Sequence, residues 1–355
     1  MNGLSWLLAQ RRLIIIAGLI IGVLGAMLSE WGNPANMGIC IACFWRDITG
    51  AVGLHRASVV QYIRPEILGM VFGALLSALV FREFRSRGGS APIIRFMLGA
   101  FTMIGALVFL GCPVRALLRL AGGDLNGITA LAGIIVGALI GIFFLRQGFN
   151  LGRAVRMKAA AGWIFPLLVL GLLLILLFES EFLFESETGP GSLHAAIGIS
   201  IAVGAGVGLL AQRTRMCFVG GWRDIFLTHD FYLVSGIVAF FVGAIITNAI
   251  LGNITWGFDD QPVAHTEHLW NFMGMLLAGL AATLLGGCPL RQTILASEGD
   301  TDAGMAIFGL VAGAAFAHNF MTAASPAGTG DFSILAVIIG IIFCLGIGIF
   351  FRQTA

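Results

Sequence analysis

Cys40-Ile41-Ala42-Cys43-Phe44-Trp45-Arg46-Asp47 is written a second time, 177 residues later, as Cys217-Phe218-Val219-Gly220-Gly221-Trp222-Arg223-Asp224. Gly111-Cys112-Pro113-Val114-Arg115 recurs at an offset of 176 as Gly287-Cys288-Pro289-Leu290-Arg291, and Asp124 and Asp300 keep that second offset. Self-similarity at a fixed period marks a repeat architecture. A chain that repeats its rarest residues in register is expected to build one site from two halves. Four of the six cysteines belong to this frame.

Composition sets the surroundings of that site. Charged residues make up 11% of the chain and hydrophobic residues 58%. Soluble domains carry about 25% charged residues, so the chain reads as an integral membrane protein. The net charge of +2 comes without a basic block, which excludes a nucleic-acid partner that would need a row of phosphate contacts. Arg11 and Arg12 precede an apolar run ending at Glu30-Trp31. With no small-residue cleavage pattern after it, that run is expected to span the membrane rather than be removed as a signal.

A span needs about 20 apolar residues. Ten windows approach that length: 12–29, 66–81, 96–111, 128–145 and 163–178, then 194–211, 232–251, 271–287, 304–321 and 333–351. Four shorter, polar-studded stretches at 36–56, 112–125, 213–230 and 288–302 hold the cysteine motifs. They read as segments that dip into the membrane and return, which irregular backbone tolerates only against protein or a water-filled cavity. With the N-terminus inside, Arg82/Arg85/Arg87, Arg146/Arg153/Arg156/Lys158, Arg213/Arg215 and Arg352 fall on the cytoplasmic side. Glu179/Glu181/Glu185/Glu187 and Asp259/Asp260/Glu267 then fall outside, as the positive-inside rule requires. Five spans per half is an odd number, so the halves sit upside down relative to each other. The expected fold is therefore all-α, with about 9–10 transmembrane helices in two inverted repeats and four cysteine-bearing re-entrant loops meeting centrally. Residues 1–160 hold the first repeat, and residues 161–355 hold its remaining helix and the second repeat, within one membrane domain.

The motifs carry their own chemistry. Proline is favoured at the first position of a helix, which makes Cys112 and Cys288 N-caps, with Gly111 and Gly287 supplying a tight turn. A sulfur at the positive end of a helix attracts anions. Arg115 and Arg291, one turn on, add donors suited to oxyanions. In Cys-x4-Trp-Arg-Asp, adjacent Arg and Asp point to different sides of a helix. Each is therefore expected to pair with another segment, since an unpaired charge at membrane depth costs at least ~2.5 kcal/mol. Asp47 and Asp224 read as structural locks, and Arg46 and Arg223 as locks or substrate contacts. Asp124 and Asp300 suit helix N-caps.

Cys40-x2-Cys43 invites a redox or zinc reading, but Gly220 stands where the duplicate of Cys43 would be. The task that the two copies of this motif share needs one thiol, with Cys43 an addition, and no second paired motif completes a zinc site. No metal and no cofactor is expected. Cys344 reads as core, His265 and His268 as loop residues, and Gly204-x-Gly206-x-Gly208 as helix packing rather than a nucleotide loop.

On Asn36-Met37-Gly38-Ile39-Cys40-Ile41-Ala42-Cys43-Phe44-Trp45-Arg46-Asp47, the two Gly-Cys-Pro motifs and Cys217, the chain resembles the YeeE/YedE membrane protein family over about residues 10–350. Characterised members of that family take up thiosulfate. The resemblance implies an hourglass-like pseudosymmetric helical fold whose loop cysteines pass the anion along through S–H···S contacts. By position that role falls to Cys40, Cys112, Cys217 and Cys288, with Cys43, Arg46, Arg115, Arg223 and Arg291 in support. The Asn-Pro-Ala-Asn-Met-Gly-Ile-Cys-Ile-Ala-Cys stretch also resembles the YedE branch, regarded as selenium transporters. A thiol is a weak donor suited to soft sulfur or selenium.

The reading is a multi-pass transporter, not an enzyme, in the bacterial inner membrane with both termini inside. It takes up a small inorganic sulfur or selenium species, with the lipid bilayer and a cytosolic sulfur or selenium acceptor protein as its other partners. The rival is a membrane thiol oxidoreductase, or a sulfur or selenium transferase, using Cys40 and Cys43.

Overall fold

The computed structural model describes residues 3–178 and 182–352, with side chains from residue 10 onward; Glu179 and Glu181 of the acidic stretch lie outside the described residues. The protein is an all-α membrane protein, and nine of its described helical segments are long and apolar enough to span a bilayer. The first seven helices are α1 (Gly3–Glu30), α2 (Ile41–Ala51), α3 (Pro65–Val80), α4 (Pro92–Phe109), α5 (Pro113–Ala121), α6 (Asn126–Arg146) and α7 (Ala159–Leu177). The next seven are α8 (Ile197–Thr214), α9 (Gly220–Thr228), α10 (Tyr232–Leu251), α11 (His268–Leu285), α12 (Pro289–Ser297), α13 (Thr301–Asn319) and α14 (Ser333–Phe350). Two-residue strands β1 (Arg87–Gly88) and β2 (Val155–Arg156) pair antiparallel. The window expected at 66–81 is the 16-residue α3. At 1.5 Å per residue it covers only about 24 Å, less than the ~30 Å of a bilayer core. Pro65 fixes its first turn, and the chain turns away at Arg82 with a left-handed φ of 56°.

Helix partners cross between the halves. The most extensive packing joins α1 to α10, α3 to α8, α4 to α13 and α6 to α11, with α4 against α11 along the middle. Small residues let these backbones close up, the usual device where lipid gives no hydrophobic drive for helices to associate. On α8, a Cβ on Gly204 or Gly208 would strike the carbonyl oxygens of Glu66 and Met70 on α3. Gly204 and Gly208 are thus a packing face, while a Cβ on Gly206 between them would meet no neighbour. The last helix of each half departs from the pattern: α7 lies against α3, α12 and α13, whereas α14 lies against α4, α6 and α11. Ile334, Leu335, Ile338, Ile339 and Ile342 of α14 are exposed, forming one helical face suited to lipid.

The chain connections gather at two ends of the bundle. At one end β1 meets β2, Arg213 pairs with Glu83 at 3.2 Å, Arg87 pairs with Asp300 at 2.7 Å, and Asn150 donates its backbone N–H to Phe351. This end holds most of the arginines. At the other, Arg64 donates to the carbonyls of Pro190 and Leu193, Leu125 N–H bonds to Gly257, and Asn253 donates to Glu30. Thr329 donates to Glu267 there as well, so this end is acidic. The segments leading into and out of α2 and α5 touch loops of the acidic end. Those around α9 and α12 touch loops of the arginine end.

Candidate functional site

Each cysteine of the repeated frame begins, or closely precedes, a short helix. Cys112 and Cys288 are the N-caps of α5 and α12 with proline at the first helical position. The left-handed residue that turns the chain there directly precedes each glycine. Leu110 has φ 65° and Gly286 φ 94°, while Gly111 and Gly287 keep ordinary φ. Their task is clearance: a Cβ at either would press on the side chain of Arg115 or Arg291. Cys40 is the N-cap of α2, and its Sγ accepts the backbone N–H of Cys43 at 3.3 Å. Cys217 repeats that bond with Gly220 N–H at 3.1 Å. Four sulfurs thus stand at the positive ends of helices.

The second half brings its two frame cysteines together. Cys288 N–H donates to Cys217 Sγ at 3.3 Å, and Phe218 N–H donates back to Cys288 Sγ at 3.4 Å. In the first half Cys40 is instead paired with Cys43 as a disulfide, with a Cα–Cα distance of 5.2 Å, and Cys112 is a free buried thiol. All five belong to one buried cluster. The halves meet beside it, where Trp45 Nε1 donates to Thr293 Oγ1 at 3.2 Å. Cys344 lies elsewhere, buried among apolar residues of the second cluster.

The arginines resolve into different jobs. Contrary to expectation, each Arg-Asp pair bonds directly: Arg46 Nε to Asp47 and Arg223 Nε to Asp224, both at 2.8 Å. Adjacent helical positions diverge at Cβ, but the long arginine stem curls back far enough to close the gap. Asp47 also accepts from Arg64 Nε at 2.7 Å, making it a fully buried bridge between two cations. Arg115, fully buried, gives its donors to carbonyls of Leu110, Asn36 and Val263, so it clamps loops. Arg291 Nη1 lies 3.6 Å from Glu298 Oε1, and neither atom has a hydrogen bond among the described residues. Asp300 caps α13 through Ala303 N–H. Asp124 receives Asn126 N–H at the start of α6 and the Nε of Arg119. His265 Nε2 lies 2.7 Å from the carbonyl of Val108.

A cavity of about 420 Å³ opens at the acidic end, lined by Arg46, Leu110, Ala317, His318, Ser325 and Asp331 among others. Leu110, on the cavity wall, is two residues from Cys112, so the cavity lies beside the turn that enters α5. His318, Arg64 and Arg119 were not among the residues singled out from sequence. A lone ionisable side chain inside an apolar window, such as His318 in 304–321, was the available signal.

A family model described as sulphur transport matches residues 2–140 and 213–327, well over half of the chain. Among curated proteins, none matches.

Proposed function

The chain belongs to the sulphur-transport family, and on that premise we propose that it carries a small inorganic sulfur anion of the thiosulfate type inward across a bacterial cytoplasmic membrane, handing it from thiol to thiol. A selenium analogue is the alternative cargo. The observation that carries this reading is the reciprocal contact of Cys217 and Cys288 at two helix starts, in register with Cys40 and Cys112 in the other half.

Opposite attachment of the short helices supports an inverted repeat with re-entrant loops. The arginine end is then cytoplasmic by the positive-inside rule, the termini lie inside, and Cys40 and Cys112 stand on the outer approach. The anion first meets helix N-termini that favour negative charge. Its soft sulfur atom accepts weak S–H donors, and its oxygens take up N–H groups. No covalent bond to cysteine is required, so the cargo leaves unchanged. Cys217 and Cys288 receive it on the inner side and release it toward a cytosolic acceptor.

The Cys40–Cys43 disulfide is the one feature favouring a thiol oxidoreductase. Sealed proteoliposomes separate the two. A carrier accumulates labelled thiosulfate only inside closed vesicles and consumes none of it. Turnover of thiosulfate by the protein in detergent would establish the enzyme instead.

A further inference from the structure

Charge within the buried part of the protein is uneven. In the first half the buried charged side chains are Arg46, Arg64, Arg115 and Arg119 against Asp47, Glu66 and Asp124. Three of those cations have defined partners: Arg64 is bonded to Asp47, Arg119 to Asp124, and Arg115 to backbone carbonyls. Glu66 is taken up by Asn33 and Ser200. Arg46 is left sharing Asp47 with Arg64. Its Nε is hydrogen-bonded, while Nη2 lies 2.6 Å from Asp47 Oδ1 without hydrogen-bond geometry. A cation that must share its counter-charge at membrane depth is poised for an anion.

Arg46 lines the cavity at the acidic end together with His318. His318 Nε2 is buried and has no hydrogen-bond partner among the described residues. Its ring rests on that of His55 with centroids 4.5 Å apart. His55 has a structural duty that fixes its tautomer. Its Nδ1 accepts Ala57 N–H at 3.3 Å, so its Nε2 carries the proton and donates to the carbonyl of Arg46 at 3.0 Å. Arg46 is therefore held by its carbonyl and by its guanidinium. A buried ring nitrogen without a partner is costly unless something fills its place. Asp331, the acidic residue on this wall, is exposed at the rim.

We propose that Arg46 and His318 form an oxyanion-binding chamber on the approach to Cys112, selecting thioanions that present oxygens to two N–H donors and a bare sulfur atom inward. The chamber rests on the relay reading for its cargo and direction. Guanidinium and imidazole hold the oxygens, and the sulfur end faces the thiol beyond Leu110. The plain alternative, a histidine that only packs against His55, predicts no effect on ligand affinity.

Isothermal titration of sodium thiosulfate into the full-length protein in nanodiscs tests the chamber. His318→Leu is expected to weaken binding about tenfold or more, the usual worth of a hydrogen bond to a charged group. His318→Gln, which keeps a donor near the Nε2 position, is expected to restore most of it. Should His318→Leu not be recovered folded, Arg46→Lys is titrated with the same expectation. Unchanged affinity in the variant titrated overturns the chamber, as does a wild-type protein that binds no thiosulfate. Cys288→Ala keeps the two failures apart. Normal binding without uptake in that variant upholds the relay, whatever His318 does. Normal uptake in Cys288→Ala with weakened binding in His318→Leu upholds the chamber and ends the relay.

Discussion

Trp45 and Thr293 join the two halves of the protein through a 3.2 Å hydrogen bond from the indole N–H to the hydroxyl oxygen. Trp45 lies five residues after Cys40 and Thr293 five after Cys288, so the bond couples the short helix of one half to the short helix of the other. Thr293 also donates to the carbonyl of Pro289 at 3.0 Å, which sets its rotamer and leaves its oxygen free to accept. Trp45→Phe keeps most of the packing, including the neighbouring ring of Phe165, and loses about 1 kcal/mol from the bond. Uptake is expected to slow severalfold with only a small loss of thermal stability, read by labelled-anion uptake and a melting curve on the same preparation.

Asp47 and Asp224 occupy equivalent positions, yet their environments differ. Asp47 is fully buried between Arg46 and Arg64, whereas Asp224 pairs with Arg223 where the side chains are 20% and 26% exposed. Asp47→Asn leaves two buried cations without a counter-charge and is expected to cost about 3–5 kcal/mol. Asp224→Asn is expected to cost about 1 kcal/mol or less. Size-exclusion profiles and melting temperatures of the two variants check the contrast.

Nine of the ten span windows, the cysteine N-caps and the doubled frame could be read from residues, because proline placement, apolar run length and repeated rare residues are local signals. Side-chain reach was not. Helix geometry at Cβ argues against the Arg46–Asp47 and Arg223–Asp224 pairs, because it takes no account of how far a guanidinium can fold back. Gly111 and Gly287 mark a tight turn, but which residue in it turns left-handed is not legible: it is Leu110 in one half and Gly286 in the other. The significance of His318 depends on the cavity that α13 shares with loops far away in sequence, and periodicity carries no record of such a neighbour.

Cys43 sets the first half apart from the second, where Gly220 stands in its place. An oxidised Cys40–Cys43 pair withdraws Cys40 from any thiol contact with cargo, since a disulfide sulfur has no proton to donate. Uptake by the wild-type protein is expected to fall under a membrane-permeant thiol oxidant and to recover with a permeant reductant. Cys43→Ala is expected to transport at near wild-type rate in reducing conditions. Under the same oxidant it should lose less activity. Equal inhibition of both proteins would remove Cys43 from the account.

The central claim is that thiols of both halves pass the anion between them. Uptake of radiolabelled thiosulfate into proteoliposomes, measured for wild type, Cys112→Ala, Cys288→Ala and the double variant, tests it most directly. Each alanine removes one sulfur from a buried helix start and leaves the proline-led helix able to form, so the proteins should insert and remain monodisperse. The account predicts uptake at the level of empty vesicles in all three variants. Wild-type uptake by the double variant would contradict it.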